Sequence, residues 1–349
     1  MNRSTTRPLT IVTGFLGSGK TTLLRRLLAG RARQETAVLV NEIGDVGLDH
    51  HLVRQLEEQT ILLGHGCICC TIRDDLVQAL RTLLDQDQRG AIARIDRVVV
   101  ETTGLADPAP ILFTIRTEPM LQHHFRVDRV VVTVDAVNGH RHFDRHAESW
   151  KQAVVADDII VTKTDMASPD TVASLLLRLR EINPTARLTT AVFGDVEADW
   201  LLESENNRRS DIRRAGEAPR LAPPTTPTVA GKDSSHAADI RPIALTFDAP
   251  LDWVAFSVWL SMLLHARGEN VLRVKGLLNV GTGGPVVLNG VQHIMHVPEH
   301  LTGWPGADQR SHLVFILHAI DPHDIVRSLQ AFQHLLGAQP RVDDMHLSE

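Results

Sequence analysis

The chain has 349 residues, of which 43% are hydrophobic and 22% are charged, which is the composition of a soluble globular protein. Its formal net charge of −6 excludes the basic surplus that suits nucleic acid or an anionic membrane, so we expect neither as a partner. The sequence has no run of about 18 apolar residues and no secretory signal, and we predict a cytoplasmic protein of two domains.

The first part of the chain alternates β-branched segments with amphipathic segments. Most of the β-branched segments are apolar on both faces, as in a parallel sheet covered by helices. This alternation predicts a doubly wound α/β domain over residues 1–202. We predict strands at 9–14, 36–42, 60–64, 94–101, 129–136 and 157–165, and helices at 20–32, 73–86, 146–156 and 168–182.

A phosphate-binding motif follows the first of these strands. The sequence TGFLGSGKTT contains the complete Walker A pattern between a strand and a helix. Its backbone N–H groups are expected to surround the β-phosphate, while Lys20 contacts the β- and γ-phosphates and Thr21 binds Mg2+. We therefore predict a P-loop NTPase sheet whose nucleotide is held by Gly14, Phe15, Leu16, Gly17, Ser18, Gly19, Lys20, Thr21 and Thr22.

Two later strand ends indicate which nucleotide binds. In the segment ETTG, Glu101 can hold Mg2+ or its water, and the N–H of Gly104 can meet the γ-phosphate. In the segment TKTD, Asp165 can accept two hydrogen bonds that guanine donates and adenine does not, while the stem of Lys163 packs over the base. Buried hydrogen bonds of this kind can reject the wrong ligand by roughly 10^4-fold. The sequence favours GTP; a surface charge pair is the alternative interpretation of Lys163 and Asp165.

All three cysteines of the chain lie within four positions, in the segment GHGCICC. Cys67 and Cys70 have the CxxC spacing of many zinc sites, and Cys69 adds a third sulfur. The fourth ligand is left open among His65, water, a carboxylate and a partner protein. Thiolate-rich sites favour Zn2+, Cu+ or Co2+. A redox dithiol and a set of small buried residues are the alternatives.

The last part of the chain predicts a linker and a second domain. Residues 203–240 are charged, rich in Pro and poor in large apolar residues, which indicates a flexible linker. Residues 241–349 then give the order β-α-β-β-β-α, which predicts a small α+β domain close to a ferredoxin-like fold. His293 and His296 fall in one predicted strand and are interpreted as ordinary strand residues. The elements are predicted at 242–250, 251–266, 271–280, 285–297, 311–320 and 322–337.

Five motifs in this order, GFLGSGKTT, NEIGDVGLD, GCICC, ETTG and TKTD, resemble those of the CobW-type GTPases. This family comprises metallochaperones, including the zinc-regulated GTPase metalloprotein activator type. The resemblance covers the first domain almost completely and reaches the second through VLRVKG and SHLVFI. It implies a GTPase that uses GTP and Mg2+ and delivers Zn2+, or Co2+ in members near cobalamin or nitrile hydratase pathways, to client metalloproteins.

The resemblance also implies roles for particular residues. The metal motif falls on Cys67, Cys69 and Cys70, and the switch segment on NEIGD, where Glu42 and Asp45 are candidates to contact Mg2+, the attacking water or the delivered metal. The implied catalytic set is Lys20, Glu42, Asp45 and Glu101.

Two departures from the family pattern stand out. Thr162 replaces the Asn that begins the guanine motif of many GTPases. The linker has only His236 in place of a contiguous His-rich run, which argues against metal storage.

The leading functional hypothesis is a GTP-hydrolysing zinc metallochaperone. A cobalt-delivery GTPase, a GTP-dependent regulatory switch with structural zinc, and a redox-regulated NTPase remain alternatives at this stage. A homodimer is one candidate assembly.

Overall fold

The structure is a computed structural model that describes residues 6–28, 36–40, 60–62, 71–196, 240–281 and 283–342. These residues belong to two compact units. Positions 203–239 of the predicted linker, including His236, lie outside the described residues. None of the helices in the described ranges is long and apolar enough to cross a membrane.

The first unit contains a sheet of seven strands in the order β3-β2-β4-β1-β5-β6-β7, and every neighbouring pair is parallel. All the strands therefore end at the same edge, where ligands bind in open α/β sheets. The prediction of a doubly wound parallel sheet is confirmed. The strands are β1 (Arg7–Gly14), β2 (Thr36–Val40), β3 (Thr60–Leu62), β4 (Arg97–Glu101), β5 (Phe125–Asp135), β6 (Asp158–Thr162) and β7 (Arg187–Ala191).

Helices connect these strands, and their ends follow local chemistry. For example, the side chain of Asp107 accepts a hydrogen bond from the N–H of Ala109, and Pro108 occupies the first helical position. Buried Val12, Val131 and Ile160 pack with Leu23 of the first helix in the core beside the sheet. The helices are α1 (Lys20–Leu28), α2 (Thr71–Gln88), α3 (Pro108–Thr117), α4 (Pro119–His124), α5 (Gly139–Arg145), α6 (Ala147–Val155) and α7 (Pro169–Ile182), with a short 3-10 helix at Thr164–Met166.

The predicted strand at 157–165 is too long at its carboxyl end. β6 stops at Thr162 because Lys163 has a φ of 56°, in the left-handed region, and the 3-10 helix follows at once. This early stop leaves Lys163, Thr164 and Asp165 outside the strand, directly after its carboxyl end at the ligand-binding edge.

The second unit is an antiparallel sheet in the order β11-β10-β9-β13-β8-β14, with β12 paired to β10. The path β14-β8-β13-β9, with one helix after β8 and another after β13, has ferredoxin-like topology, as predicted. The remaining strands extend it beyond β9. The elements are β8 (Ile240–Phe247), α8 (Trp253–Arg267), β9 (Val271–Leu278), β10 (Val286–Val291), β11 (Ile294–Met295), β12 (Glu299–His300), β13 (Ser311–His318), α9 (Pro322–Ala331), α10 (Gln333–Leu336) and β14 (Pro340–Val342).

Three sequence predictions in this unit are wrong in detail. The predicted strand at 285–297 is a hairpin, because Gln292 has a φ of 52° and reverses the chain. His293 lies in that turn and His296 follows β11, so neither is an ordinary strand residue. The predicted helix at 322–337 is interrupted at Phe332 and ends at Gly337, whose φ is 72°.

Candidate nucleotide-binding site

The Walker A segment forms a loop between β1 and α1, and glycine is required at its first position. Gly14 has a φ of 141°, and a Cβ there would lie 2.4 Å from the backbone O of Thr133 on β5. Within the loop, the N–H of Ser18 donates to the O of Phe15 at 3.1 Å. The loop is therefore packed directly against the neighbouring strand, with no room for a side chain where it begins.

Lys20 is held against this loop. Its Nζ donates hydrogen bonds to the O of Gly14 at 2.8 Å and to the O of Phe15 at 3.2 Å. Burial lowers the pKa of Lys20, and the nearby charge of Glu101 opposes that shift. These two hydrogen bonds to backbone carbonyls hold the Lys20 ammonium group at the loop where the phosphates are predicted to bind.

Thr21 and Glu101 come together although 80 positions separate them in the chain. The Oγ1 of Thr21 donates to Oε1 of Glu101 at 2.9 Å. Glu101 ends β4 opposite Val12 of β1, and it is 4% exposed. A hydroxyl and a carboxylate are the hard oxygen donors that Mg2+ prefers, so the pair fits the predicted Mg2+ ligands. Among the described residues, no group of three or more His, Cys, Asp or Glu could hold a metal ion.

The loop after β4 is fixed from two sides. A Cβ on Gly104 would lie 2.6 Å from the N of Leu16, so the loop touches the Walker A backbone. From α6, the buried Nε2 of Gln152 donates to the O of Gly104 at 3.1 Å and to the O of Ala106 at 3.0 Å. Gln152 was missed in the sequence because no local pattern marks it.

The end of β6 is tied to the phosphate loop through a hydroxyl. The Oγ1 of Thr162 donates to the O of Ser18 at 2.7 Å, so a threonine in place of asparagine still connects the TKTD segment to the loop. Asp165 is exposed in the 3-10 helix that follows. Its carboxylate is therefore accessible to a ligand at this edge.

Lys163 is held by a buried acid that is not among the predicted site residues. Its Nζ donates to Oδ2 of Asp135 at 2.9 Å, and Asp135 also accepts from the N–H of Val137 at 2.8 Å and from Nδ2 of Asn138 at 3.0 Å. Burial alone raises the pKa of Asp135, but these hydrogen bonds and the Lys163 charge outweigh it and lower that pKa. The available signal is one acid that ends the apolar run VVVTVD.

Two histidines lie beside the phosphate loop. The ring of Phe15 packs on His142 and on His146, with 4.5 Å between centroids in each pair. Burial lowers the pKa of His142, and the charge of Asp135 opposes this. Leu16 is half exposed and Thr22 is exposed, so these two predicted nucleotide contacts face solvent.

The remaining predicted site residues lie outside the described residues. They are Glu42, Asp45, His65, Cys67, Cys69 and Cys70. The last described residue before the first group is Val40, which ends β2, and the last before the cysteines is Leu62, which ends β3.

Comparisons with known proteins cover both units. Residues 8–190 match the model of the CobW/HypB/UreG nucleotide-binding domain, and residues 240–333 match that of the cobalamin synthesis protein CobW C-terminal domain.

Among curated relatives, the zinc chaperone YjiA of Escherichia coli is 33% identical over 92% of this chain and 96% of its own. The zinc-regulated GTPase metalloprotein activator 1 of Schizosaccharomyces pombe is 28% identical over 83% of this chain and 76% of its own. The crystal structure of the Zn(II)-bound YjiA GTPase superimposes with a TM-score of 0.64 at 27% identity, covering 95% of this chain and 99% of that chain.

Proposed function

This chain belongs to the CobW/HypB/UreG family of P-loop GTPases, and on that premise we propose that it is a zinc metallochaperone, which binds zinc through Cys67, Cys69 and Cys70 and transfers it to client metalloproteins at the expense of GTP. The observation that carries the proposal is its near full-length similarity to a relative named as a zinc chaperone. The resemblance inferred from the five motifs is confirmed at the level of the family.

The nucleotide half of the proposal assigns one role to each group of contacts. Lys20 contacts the β- and γ-phosphates, and the N–H of Gly104 meets the γ-phosphate. Lys163 and Asp165 bind the guanine base. Asp165 supplies the acceptor that selects guanine, and its exposure at the sheet edge supports this role.

Mg2+ belongs to the same site. Thr21 and Glu101 would hold the ion, directly or through its water, because both present oxygen donors at one place. Bound Mg2+ neutralises charge that develops on the phosphate oxygens. Glu42 and Asp45 are proposed as further acids for the ion, the attacking water or the transferred metal.

The metal half is proposed from the cysteine spacing and from where the neighbouring strands end. β3, which precedes the cysteines, is separated from β4 only by β2, and adjacent strands are about 4.8 Å apart, so the ends of β3 and β4 lie roughly 10 Å apart. A γ-phosphate contacted after β4 is therefore close to the end of β3, the last described strand before the cysteines in the sequence. Zinc bound by thiolates is tight, with values of about 10 kcal/mol or more, so release requires a second state with poorer ligand geometry. GTP hydrolysis supplies that second state in this proposal.

The decisive experiment is a competitive zinc titration of the reduced, metal-free protein with a non-hydrolysable GTP analogue or with GDP. We expect tighter zinc binding with the analogue than with GDP, and by linkage the same factor in nucleotide affinity when zinc is added. A variant with Cys67, Cys69 and Cys70 replaced by Ser is the control, and it should keep GTP binding while losing zinc. Equal zinc affinity in both nucleotide states would contradict the coupling.

The same titration separates the alternatives. Co2+ bound more tightly than Zn2+ in the GTP state, and passed to a client apo-protein, would replace zinc by cobalt as the delivered metal. A zinc ion that survives repeated GTP turnover without exchange would indicate a structural metal in a regulatory switch. A reversible disulfide that changes hydrolysis without stoichiometric metal would indicate redox control.

A further inference from the structure

The turn that follows β7 has an unusual backbone. The N–H of Asp195 donates to the O of Val192 at 2.9 Å, and the two residues between them, Phe193 and Gly194, have φ values of 50° and 71°. Two positive φ values in succession are those of a type I′ turn, which selects Asn-Gly. A bulky aromatic residue at the first position is strained, and strain of this kind concentrates at functional sites.

The side chain of Phe193 is also unusual in its exposure. It is 77% exposed, and among the Phe and Trp residues that the structure describes it is alone in being exposed. The backbone strain is therefore not compensated by burial of the ring within the described part of the chain. Packing in the core of the unit therefore explains neither the strained backbone of Phe193 nor the exposure of its ring.

The turn lies at the predicted base-binding edge. β7 runs parallel to β6, with Ala191 opposite Thr162, so the chain leaves the sheet after Ala191 beside the segment that holds Lys163 and Asp165. This places Phe193 two residues past the end of β7, next to the strand end that Lys163 and Asp165 follow.

The turn is also fixed against α1, the helix that begins with Lys20. A Cβ on Gly194 would lie 3.0 Å from the Cα of Leu23 and 3.0 Å from the O of Thr22. Asp195 forms an exposed ion pair with Arg26 at 3.6 Å. The position of the ring is thus set by backbone packing of the glycine that follows it.

We propose that Phe193 is a base-binding residue whose ring stacks on the purine of the bound nucleotide. Asp165 selects guanine by its hydrogen bonds, and Phe193 adds an apolar surface for the face of the base. Stacking is tolerant of base identity because every base has a π-face, so Phe193 contributes affinity and Asp165 contributes selectivity. The inference rests on the proposed GTP binding.

The test compares a ligand that has a base with one that has none. Affinities for GDP and for inorganic tripolyphosphate are measured for the wild type and for Phe193→Ala, Phe193→Trp and Phe193→Asn. We expect the alanine variant to bind GDP about tenfold more weakly and tripolyphosphate equally well. Phe193→Trp should retain GDP affinity, and its added indole fluorescence should be quenched by GDP. Val254→Ala, which removes an exposed apolar side chain from α8, is the matched control and should change neither affinity.

The asparagine variant distinguishes loss of the ring from damage to the fold. Asn tolerates the left-handed region, so Phe193→Asn should raise Tm while it weakens GDP binding. Equal GDP affinity of the wild type and Phe193→Ala would overturn the inference and leave the GTPase proposal intact. An equal loss of tripolyphosphate binding would also overturn it, because the ring would then act through the turn. Failure of the wild type to bind any guanine nucleotide would overturn both.

Discussion

The Oγ1 of Thr21 and Oε1 of Glu101 lie 2.9 Å apart. One residue begins a helix after β1 and the other ends β4, and parallel pairing of these two strands brings them to the same edge. Both residues are predicted Mg2+ ligands on separate grounds, Thr21 from the Walker A motif and Glu101 from its place at a strand end. Their hydrogen bond shows that the two predicted ligands lie close enough to contact the same ion.

Replacing either member of this pair is expected to impair hydrolysis. Thr21→Ala and Glu101→Gln should each lower kcat for GTP by on the order of 10^2-fold, because each removes one of the groups proposed to hold the charge-neutralising Mg2+. The Mg2+ concentration that gives half-maximal rate should also rise. Steady-state phosphate release over a Mg2+ series measures both.

Thr82→Ala is the control for these two variants, since the exposed Thr82 hydroxyl donates to the O of Gln78 within its own helix, α2. Its kinetics should match those of the wild type. Wild-type kcat and Mg2+ dependence in Thr21→Ala would rule out a role for the hydroxyl in the site.

Gly104→Ala is expected to move the loop after β4 away from the phosphate loop. The new Cβ would lie 2.6 Å from the N of Leu16, which is backbone and has little freedom to shift. We expect GTP hydrolysis to fall at least tenfold while GDP binding is retained, because the change would remove the proposed γ-phosphate contact and leave the β-phosphate loop in place. Gly303→Ala, where a Cβ meets no atom within 4 Å, is the matched control. Equal loss of GDP binding would show that the phosphate loop itself was damaged.

The parts of this site that follow from sequence are those built from consecutive residues. A phosphate loop needs glycines, a lysine and a threonine in one run, so Gly14 and Lys20 are visible as a motif. Asp135 and Gln152 are different, because they act on residues 28 and 46 to 48 positions away through strand pairing and helix packing. No local pattern encodes such contacts, and only the solitary acid at the end of β5 gave a signal.

The strands, too, were predictable only where the local sequence carries a clear pattern. Buried strands such as β2 are apolar on both faces and were predicted to within two residues of their ends, whereas β7 was not predicted. Most of β7, Arg187–Ala191, is partly exposed at the edge of its sheet, so its sequence carries no apolar run. β14 completes the ferredoxin-like order with three residues, too few to give a periodic pattern.

The ion pair of Asp135 with Lys163 should make stability depend on pH in the acid range. The pKa of Asp135 is lowered in the folded protein, so its contribution is present above the unfolded value and is lost as the pH falls through the folded one. Asp135→Asn should therefore unfold at a lower urea concentration than the wild type at pH 7, and the difference between the two should shrink as the pH falls below about 4. Urea unfolding at several pH values measures this. A difference that stays constant down to pH 3 would show that charge is not the cause.

Gln152→Leu is expected to weaken the distinction between GTP and GDP. The Nε2 of Gln152 donates to two backbone carbonyls of the loop after β4, and leucine leaves both without that donor in a buried site. An unsatisfied buried polar group costs about 1–3 kcal/mol, so the free energy of unfolding should fall by about that amount. The loop should also lose its fixed position, so affinity for a GTP analogue should fall several-fold while GDP affinity stays near the wild-type value. Gln78→Leu, on the exposed face of α2, controls for the loss of an amide, and both affinities are measured at a temperature where every variant is folded. An unchanged ratio of the two affinities in Gln152→Leu would mean that α6 stabilises the fold without positioning the loop for the γ-phosphate.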